Sequence, residues 1–168
     1  AKLAQVRVHG ATLFAVEGTY DEAFDLCSAV CERLGFYNRN TAINPYLGEG
    51  KKTLALEIWE QLGFRAPEAV VVPVGDGCIL GGVYKGFRDL ADLGLIPRPP
   101  RLIGAQAEGS SALAQAWRAG VDRCTPVAAA TVADSLCVGM PRDQIKALRA
   151  VRASQGAFVT VSDEAILE

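Results

Sequence analysis

No apolar run in this chain approaches the roughly 20 residues needed to cross a bilayer. The N-terminal Ala1-Lys2-Leu3-Ala4-Gln5 also lacks the apolar core of a secretion signal. These absences predict a cytoplasmic protein with no membrane partner. An excess of one charge is missing too: 17 basic and 19 acidic residues are interspersed, for a net charge of −2. Without a basic stripe no counterion release drives nucleic-acid affinity, which argues against a nucleic-acid partner. Cys27, Cys31, Cys78, Cys124 and Cys137 are odd in number and include no Cys-x-x-Cys pair, against both a zinc site and a secreted disulfide scaffold. A reducing compartment and no metal are expected. Histidine is reduced to His9, so any histidine-based hydrolysis would rest on that one residue. No Gly-x-Ser-x-Gly elbow holds a nucleophilic serine, and Ser110-Ser111 reads as a helix start. Asp134 and Asp163 lie 29 positions apart with nothing in the sequence to pair them. No internal repeat or low-complexity segment is found. The chain has no initiator methionine and its last helix is barely two turns, which predicts a piece of a longer polypeptide.

What is present suits a globular fold: 168 residues, 50 % hydrophobic, enough for one core or one and a partial second. Residues 11–16 read as a strand. Thr19 with Glu22 forms a capping-box pattern ahead of a helix that runs to about Leu34, with Gly35 as its stop. Its stripe of Ala23, Phe24, Cys27, Val30, Cys31 and Leu34 repeats at helical spacing and predicts both cysteines in a buried face. After a polar loop over residues 37–46, a helix is expected over 51–62, with Leu54, Ala55, Ile58, Trp59 and Leu62 on one face and Gly63 closing it. Further helices are expected over 79–93, 110–118 and 141–153, the last opened by Pro141, and strands near 70–72, 101–106 and 157–161. Ser162 caps a final helix. The alternation predicts an α/β fold with an open, mostly parallel, twisted sheet and helices on both faces.

The most informative stretch is Val70-Val71-Val72-Pro73-Val74-Gly75-Asp76-Gly77-Cys78-Ile79, a short apolar strand that breaks into two near-adjacent glycines and then a helix. Glycine permits positive φ and close backbone approach, and the head of a helix offers unpaired N–H groups to an anion. Such a turn serves as a phosphate cradle or as a tight connection. The dinucleotide fingerprint Gly-x-Gly-x-x-Gly fails at Leu80, and no acidic residue ends a strand about 20 residues later. Gly48-Glu49-Gly50-Lys51-Lys52-Thr53 misses the nucleoside-triphosphate loop, because Lys52 separates Gly50-Lys51 from Thr53.

Several segments, read in order, carry a family resemblance. They are Gly18-Thr19-Tyr20-Asp21-Glu22-Ala23, Asn44-Pro45-Tyr46, Glu49-Gly50-Lys51-Lys52-Thr53 with Glu57-Ile58, Pro73-Val74-Gly75-Asp76-Gly77, and Lys85-Gly86-Phe87. Gln106-Ala107-Glu108-Gly109, Thr131-Val132-Ala133-Asp134 and Gly139-Met140-Pro141 continue the series. Together they resemble threonine synthase, a pyridoxal-phosphate enzyme of the tryptophan-synthase-β structural class, fold type II. The resemblance implies that residues 1–40 end a small α/β domain and that 41–168 belong to a large one that binds pyridoxal 5′-phosphate.

By the same resemblance, Gly75, Asp76, Gly77, Cys78 and Ile79 hold the cofactor phosphate. Asp76 stands where family members more often carry asparagine. A carboxylate 4 Å from a phosphate charge costs about 4 kcal/mol at an effective dielectric near 20, so the Asp76 side chain is expected to turn away while backbone amides bind. The loop around Asn44-Pro45 contributes to the substrate's phosphate site, where Thr41 replaces an asparagine and Leu47 an arginine. Thr41 and Lys52 are the candidate substrate-phosphate contacts, with Lys51 or Lys52 weighed as compensation for the missing arginine against a solvated lysine pair at a helix start. The Schiff-base lysine is expected upstream of this chain and the partner of the pyridine nitrogen downstream of Glu168. None of Lys2, Lys51, Lys52, Lys85 or Lys146 sits in the matching motif, so no catalytic residue is assigned. The implied activity converts O-phosphohomoserine and water to threonine and phosphate. Alternatives are β-elimination or replacement on serine, threonine or phosphoserine, and a non-catalytic phosphate-binding module. A small amino-acid substrate is expected, together with homo-oligomerisation or self-association.

Overall fold

The computed structural model describes residues 2–168, which divide into two compact units after Phe36. In the first, α1 (Lys2–Val8) is followed by an irregular stretch and α2 (Tyr20–Leu34). The capping box forms as expected. Thr19 Oγ1 accepts from the Glu22 amide at 3.2 Å, and the Glu22 carboxylate accepts from the Thr19 amide at 2.7 Å. Gly35 ends the helix at φ 70°, a left-handed conformation that a Cβ would strain.

Two expectations fail in this unit. Residues 11–16 form no strand, since a strand depends on a partner's hydrogen bonds and no described segment supplies them; Phe14 is 84 % exposed. Helix α2 has no buried residue: Cys27 is exposed and Cys31 half-buried, so the apolar stripe is not sealed in a core.

The second unit, Tyr37–Glu168, contains α3 (Pro45–Lys51), α4 (Thr53–Gln61), β1 (Ala69–Pro73), α5 (Cys78–Asp92), β2 (Arg101–Ala107), α6 (Ala112–Arg118), α7 (Gln144–Ala153), β3 (Ala157–Val161) and α8 (Asp163–Leu167). The helix expected over 51–62 is α4, and a short further helix, α3, precedes it. Asn44 caps α3, its side-chain oxygen accepting from the Tyr46 amide at 3.1 Å, and Pro45 occupies the first turn, where its missing N–H costs nothing. The chain turns at Lys52, whose amide donates back to Glu49 O at 3.2 Å. On the expected face Leu54 and Leu62 are exposed, while Ala55 is buried and Ile58 and Trp59 pack against the core.

Strands β1, β2 and β3 form a parallel sheet in that order. The register sets Val72 beside Gly104, and Gly104 beside Phe158. A Cβ on Gly104 would stand 2.5 Å from the Phe158 ring, so the glycine makes room for the aromatic side chain. On this face Val72, Leu102 and Phe158 join Leu80, Val83 and Phe87 of α5, Leu113 of α6 and Leu148 and Val151 of α7 in one buried core. Each such side chain contributes about 1.5–3 kcal/mol by leaving water. Right-handed crossovers in an unbroken β1-β2-β3 order carry both connections over the same face. The alternate residues Val71 and Val159 are 66 % and 40 % exposed, with no described helix covering them.

Glycines also fix how α5 meets α3 and α4. A Cβ on Gly82 would lie 2.6 Å from Lys51 Cβ, and one on Gly86 would lie 2.5 Å from Lys52 O and 2.7 Å from Ala55 Cβ. The turn between α3 and α4 therefore rests on the bare backbone of α5.

Candidate functional site

Because the strands are parallel, their C-terminal ends share one edge of the sheet, where α/β proteins bind ligands. Each strand is followed there by a turn: β1 by residues 74–77, β2 by a 3-10 turn at Glu108–Ser110, and β3 by Ser162 and Asp163. The irregular stretch before α7 packs across this edge and is pinned at three points. The buried Ser110 hydroxyl donates to Leu136 O at 2.8 Å and accepts from the Val138 amide at 3.0 Å. The Ala130 amide donates to Gly109 O at 2.9 Å, in a contact so close that a Cβ on Gly109 would fall 1.8 Å from Ala130 O. Asp163 accepts from the Thr131 hydroxyl and, at 3.1 Å, from the Val132 amide. The fold thus brings Asp163 beside the turn leading to Asp134, a proximity that their separation in sequence concealed.

The glycine turn lies at one end of this edge, after the outer strand β1. The buried Gln106 side chain joins the strand ends to α6, donating to Val74 O at 3.2 Å and accepting from the Ala114 amide at 2.9 Å. Gly75 packs on the same irregular stretch, a Cβ there meeting Val138 Cγ2 at 3.2 Å. Gly77 caps α5 at φ 90°, and a Cβ on it would lie 2.7 Å from Ala147 Cβ on α7. Glycine is required here both for the backbone conformation and for the approach of α7. No side chain caps the first turn of α5, which leaves its leading amides free of a side-chain acceptor.

Asp76 is turned toward the start of α7: its Oδ1 accepts from the Arg142 amide at 2.9 Å, and its carbonyl from the Asp143 amide at 3.0 Å. α7 starts at Gln144 rather than at Pro141, and the amides of residues 142 and 143 that precede it donate to Asp76. The Asp143 carboxylate, 8 % exposed, takes the Lys146 ammonium at 2.9 Å. Burial, the charges of Asp143 and Asp76 and a hydrogen bond to Asp143 push the Cys78 thiol up to about 12, with Lys51 acting in the opposite direction. Ile79 follows Cys78 on the first turn and is 44 % exposed.

The two substrate-phosphate candidates lie outside this cluster. Thr41 is half-buried in a turn, next to Asn40, whose carbonyl accepts from the Ile43 and Asn44 amides at 3.0 and 2.8 Å. Lys52 belongs to a ring of four charges. Its ammonium lies 3.0 Å from Glu49 and 3.1 Å from Asp89, and Lys85 joins the same carboxylates at 3.4 and 2.9 Å. Hydrogen bonds to Glu49 and then Asp89 hold Lys52 above the ordinary lysine range. Arg142 and Asp143, which border the glycine turn, were not site candidates by sequence, and Lys51 was one only beside Lys52, as a replacement for the arginine missing at Leu47. The motif Gly139-Met140-Pro141 ends just before Arg142 and gave the nearest signal.

Among the described residues no group of three or more His, Cys, Asp or Glu is placed to hold a metal ion, and no helix is long and apolar enough to cross a membrane.

The chain is 40 % identical over 167 residues to threonine synthase of Methanosarcina acetivorans and 35 % identical over 168 residues to that of Methanocaldococcus jannaschii. These matches cover 99 % of the chain but 41 % of either relative's length. Its fold is similar to tomato (Solanum lycopersicum) threonine deaminase isoform 2, with TM-score 0.74 and 23 % identity over 96 % of this chain and 41 % of that one. Maize serine racemase also gives 0.74, at 22 % identity over 99 % of this chain and 47 % of that one. Both likenesses concern the fold. Residues 1–168 as a whole match the family described as pyridoxal-phosphate dependent enzyme, and the chain belongs to that family.

Proposed function

We propose that the protein carrying this chain is a threonine synthase-type enzyme that converts O-phosphohomoserine and water to threonine and phosphate. Residues 75–79 hold the phosphate of its pyridoxal phosphate. The observation that carries this reading is the head of α5, where Gly77 at φ 90° presents amides with no side-chain cap at the C-terminal edge of a parallel sheet. The surroundings fit a dianion. The Asp76 carboxylate is engaged by the Arg142 amide, Asp143 is matched by Lys146, and Cys78 stays a neutral thiol at physiological pH. Pyridoxal phosphate, when bound, supplies the electron sink that lets an amino acid lose its Cα proton. The contribution of these residues is to bind and orient: backbone amides grip the phosphate, and the Gln106 and Ser110 bonds hold the edge in shape.

Thr41 offers a hydroxyl to the substrate's phosphate. Lys52 can contribute only by giving up Glu49 or Asp89. Leu47, where the resembling family has an arginine, favours a second reading, elimination or replacement on a substrate without a γ-phosphate. Threonine and phosphate released from O-phosphohomoserine support the first reading, and keto acid released from threonine supports the second. We further assign residues 1–40 to the end of a smaller domain and 41–168 to the cofactor-binding one, in a cytoplasmic protein that self-associates.

A further inference from the structure

We propose that Lys51 is the side-chain cation of this anion site and pairs with a phosphate monoester dianion at the head of α5. The proposal rests on the reading of residues 75–79 given above. Three lysines pack along this side of α5, and two of them, Lys52 and Lys85, are consumed by Glu49 and Asp89. Lys51 is different. It is half-buried, and its ammonium has neither an ion pair nor a hydrogen bond among the described residues. Its position is set by the close packing of α3 on α5, with Lys51 Cβ 2.6 Å from where a Cβ on Gly82 would stand, one helical turn beyond Cys78. Its charge is felt at Cys78, the first residue of α5, where it opposes the rise of the thiol.

The balance of charge gives the same answer. The fixed side chains around the turn include the carboxylates of Asp76 and Asp143, and Lys146 is already paired with Asp143. A dianion bound there by neutral amides alone would face these carboxylates without a mobile counter-charge. Lys51 is the partner-free ammonium at hand, on a flexible stem that suits it to meet a phosphate as a point charge. It also offers a cation on α3, the helix that carries Leu47, where the family's arginine is missing.

The test uses the apo form of the protein carrying this chain, titrated by absorbance with pyridoxal phosphate and separately with pyridoxal, which lacks the phosphate. Lys51→Met is expected to weaken pyridoxal phosphate by about tenfold to a hundredfold, the worth of a charge-assisted bond. Pyridoxal affinity should stay unchanged, and Lys51→Arg should restore most of the loss, which sets the effect apart from misfolding. If pyridoxal phosphate affinity holds in Lys51→Met while KM for O-phosphohomoserine rises by the same factor, Lys51 serves the substrate's phosphate instead, and its pairing with the anion at the head of α5 is overturned. Less than about a twofold change in both overturns the assignment of Lys51 alone. Wild-type protein that binds pyridoxal as tightly as pyridoxal phosphate overturns the phosphate reading of residues 75–79 and, with it, this one.

Discussion

Cys78 shows how a single residue can run against its local helix. A thiol at the head of a helix is normally made more acidic by the macrodipole, yet burial and the Asp143 and Asp76 charges push this one up to about 12. The folded state therefore prefers the protonated thiol above the ordinary value of 9.0, where the unfolded chain ionises. Stability from this group is fully present below about pH 9 and is lost as pH rises toward 12. Denaturation midpoints should fall with pH above about 9, and Cys78→Ser should flatten that slope; an unchanged slope would contradict the burial argument. Thiol titration of the native protein near pH 8 should find exposed Cys27 reacting first and Cys78 and buried Cys124 last.

At the scale of elements, contacts across α5 decide what its glycines do. Alanine is a better helix former than glycine by about 1 kcal/mol. At Gly81 an added Cβ meets Lys146 Cβ at 3.3 Å, so Gly81→Ala should be neutral or stabilising by up to about 1 kcal/mol. At Gly86 the same atom would lie 2.5 Å from Lys52 O, so Gly86→Ala should lose about 1–3 kcal/mol despite its propensity. Urea denaturation of both variants distinguishes the cases, and equal effects would refute the packing account. Elements whose ends depend on their own residues could be read in advance, as Thr19 with Glu22, Ser162 before α8, and residues 157–161 show. Ends set by distant partners could not. Lys52 packs on Gly86, the residues before α7 bond to Asp76, and residues 11–16 have no partner strand among the described residues. The site divides the same way: the glycine turn lies within one contiguous segment, whereas Lys51, Arg142 and Asp143 reach it only through tertiary packing.

For the whole molecule, the sheet determines behaviour at both levels, assembly and binding. Its face bearing Val71 and Val159 is exposed, beside an edge-rich three-stranded sheet. The 168-residue chain on its own should therefore self-associate, with mass by light scattering rising with concentration and Val71→Lys reducing the rise. A strict monomer at all concentrations would contradict this. The strands' shared C-terminal edge places the glycine turn at the centre of the proposed cofactor site. The most direct test of that claim is the phosphorus NMR resonance of pyridoxal phosphate bound to the protein carrying this chain, followed across the second phosphate ionisation near pH 6. A phosphate gripped by the amides of residues 75–79 should remain a dianion, with one resonance that does not move with pH, and Gly77→Ala should abolish that protection. A resonance that titrates like the free cofactor would contradict the account.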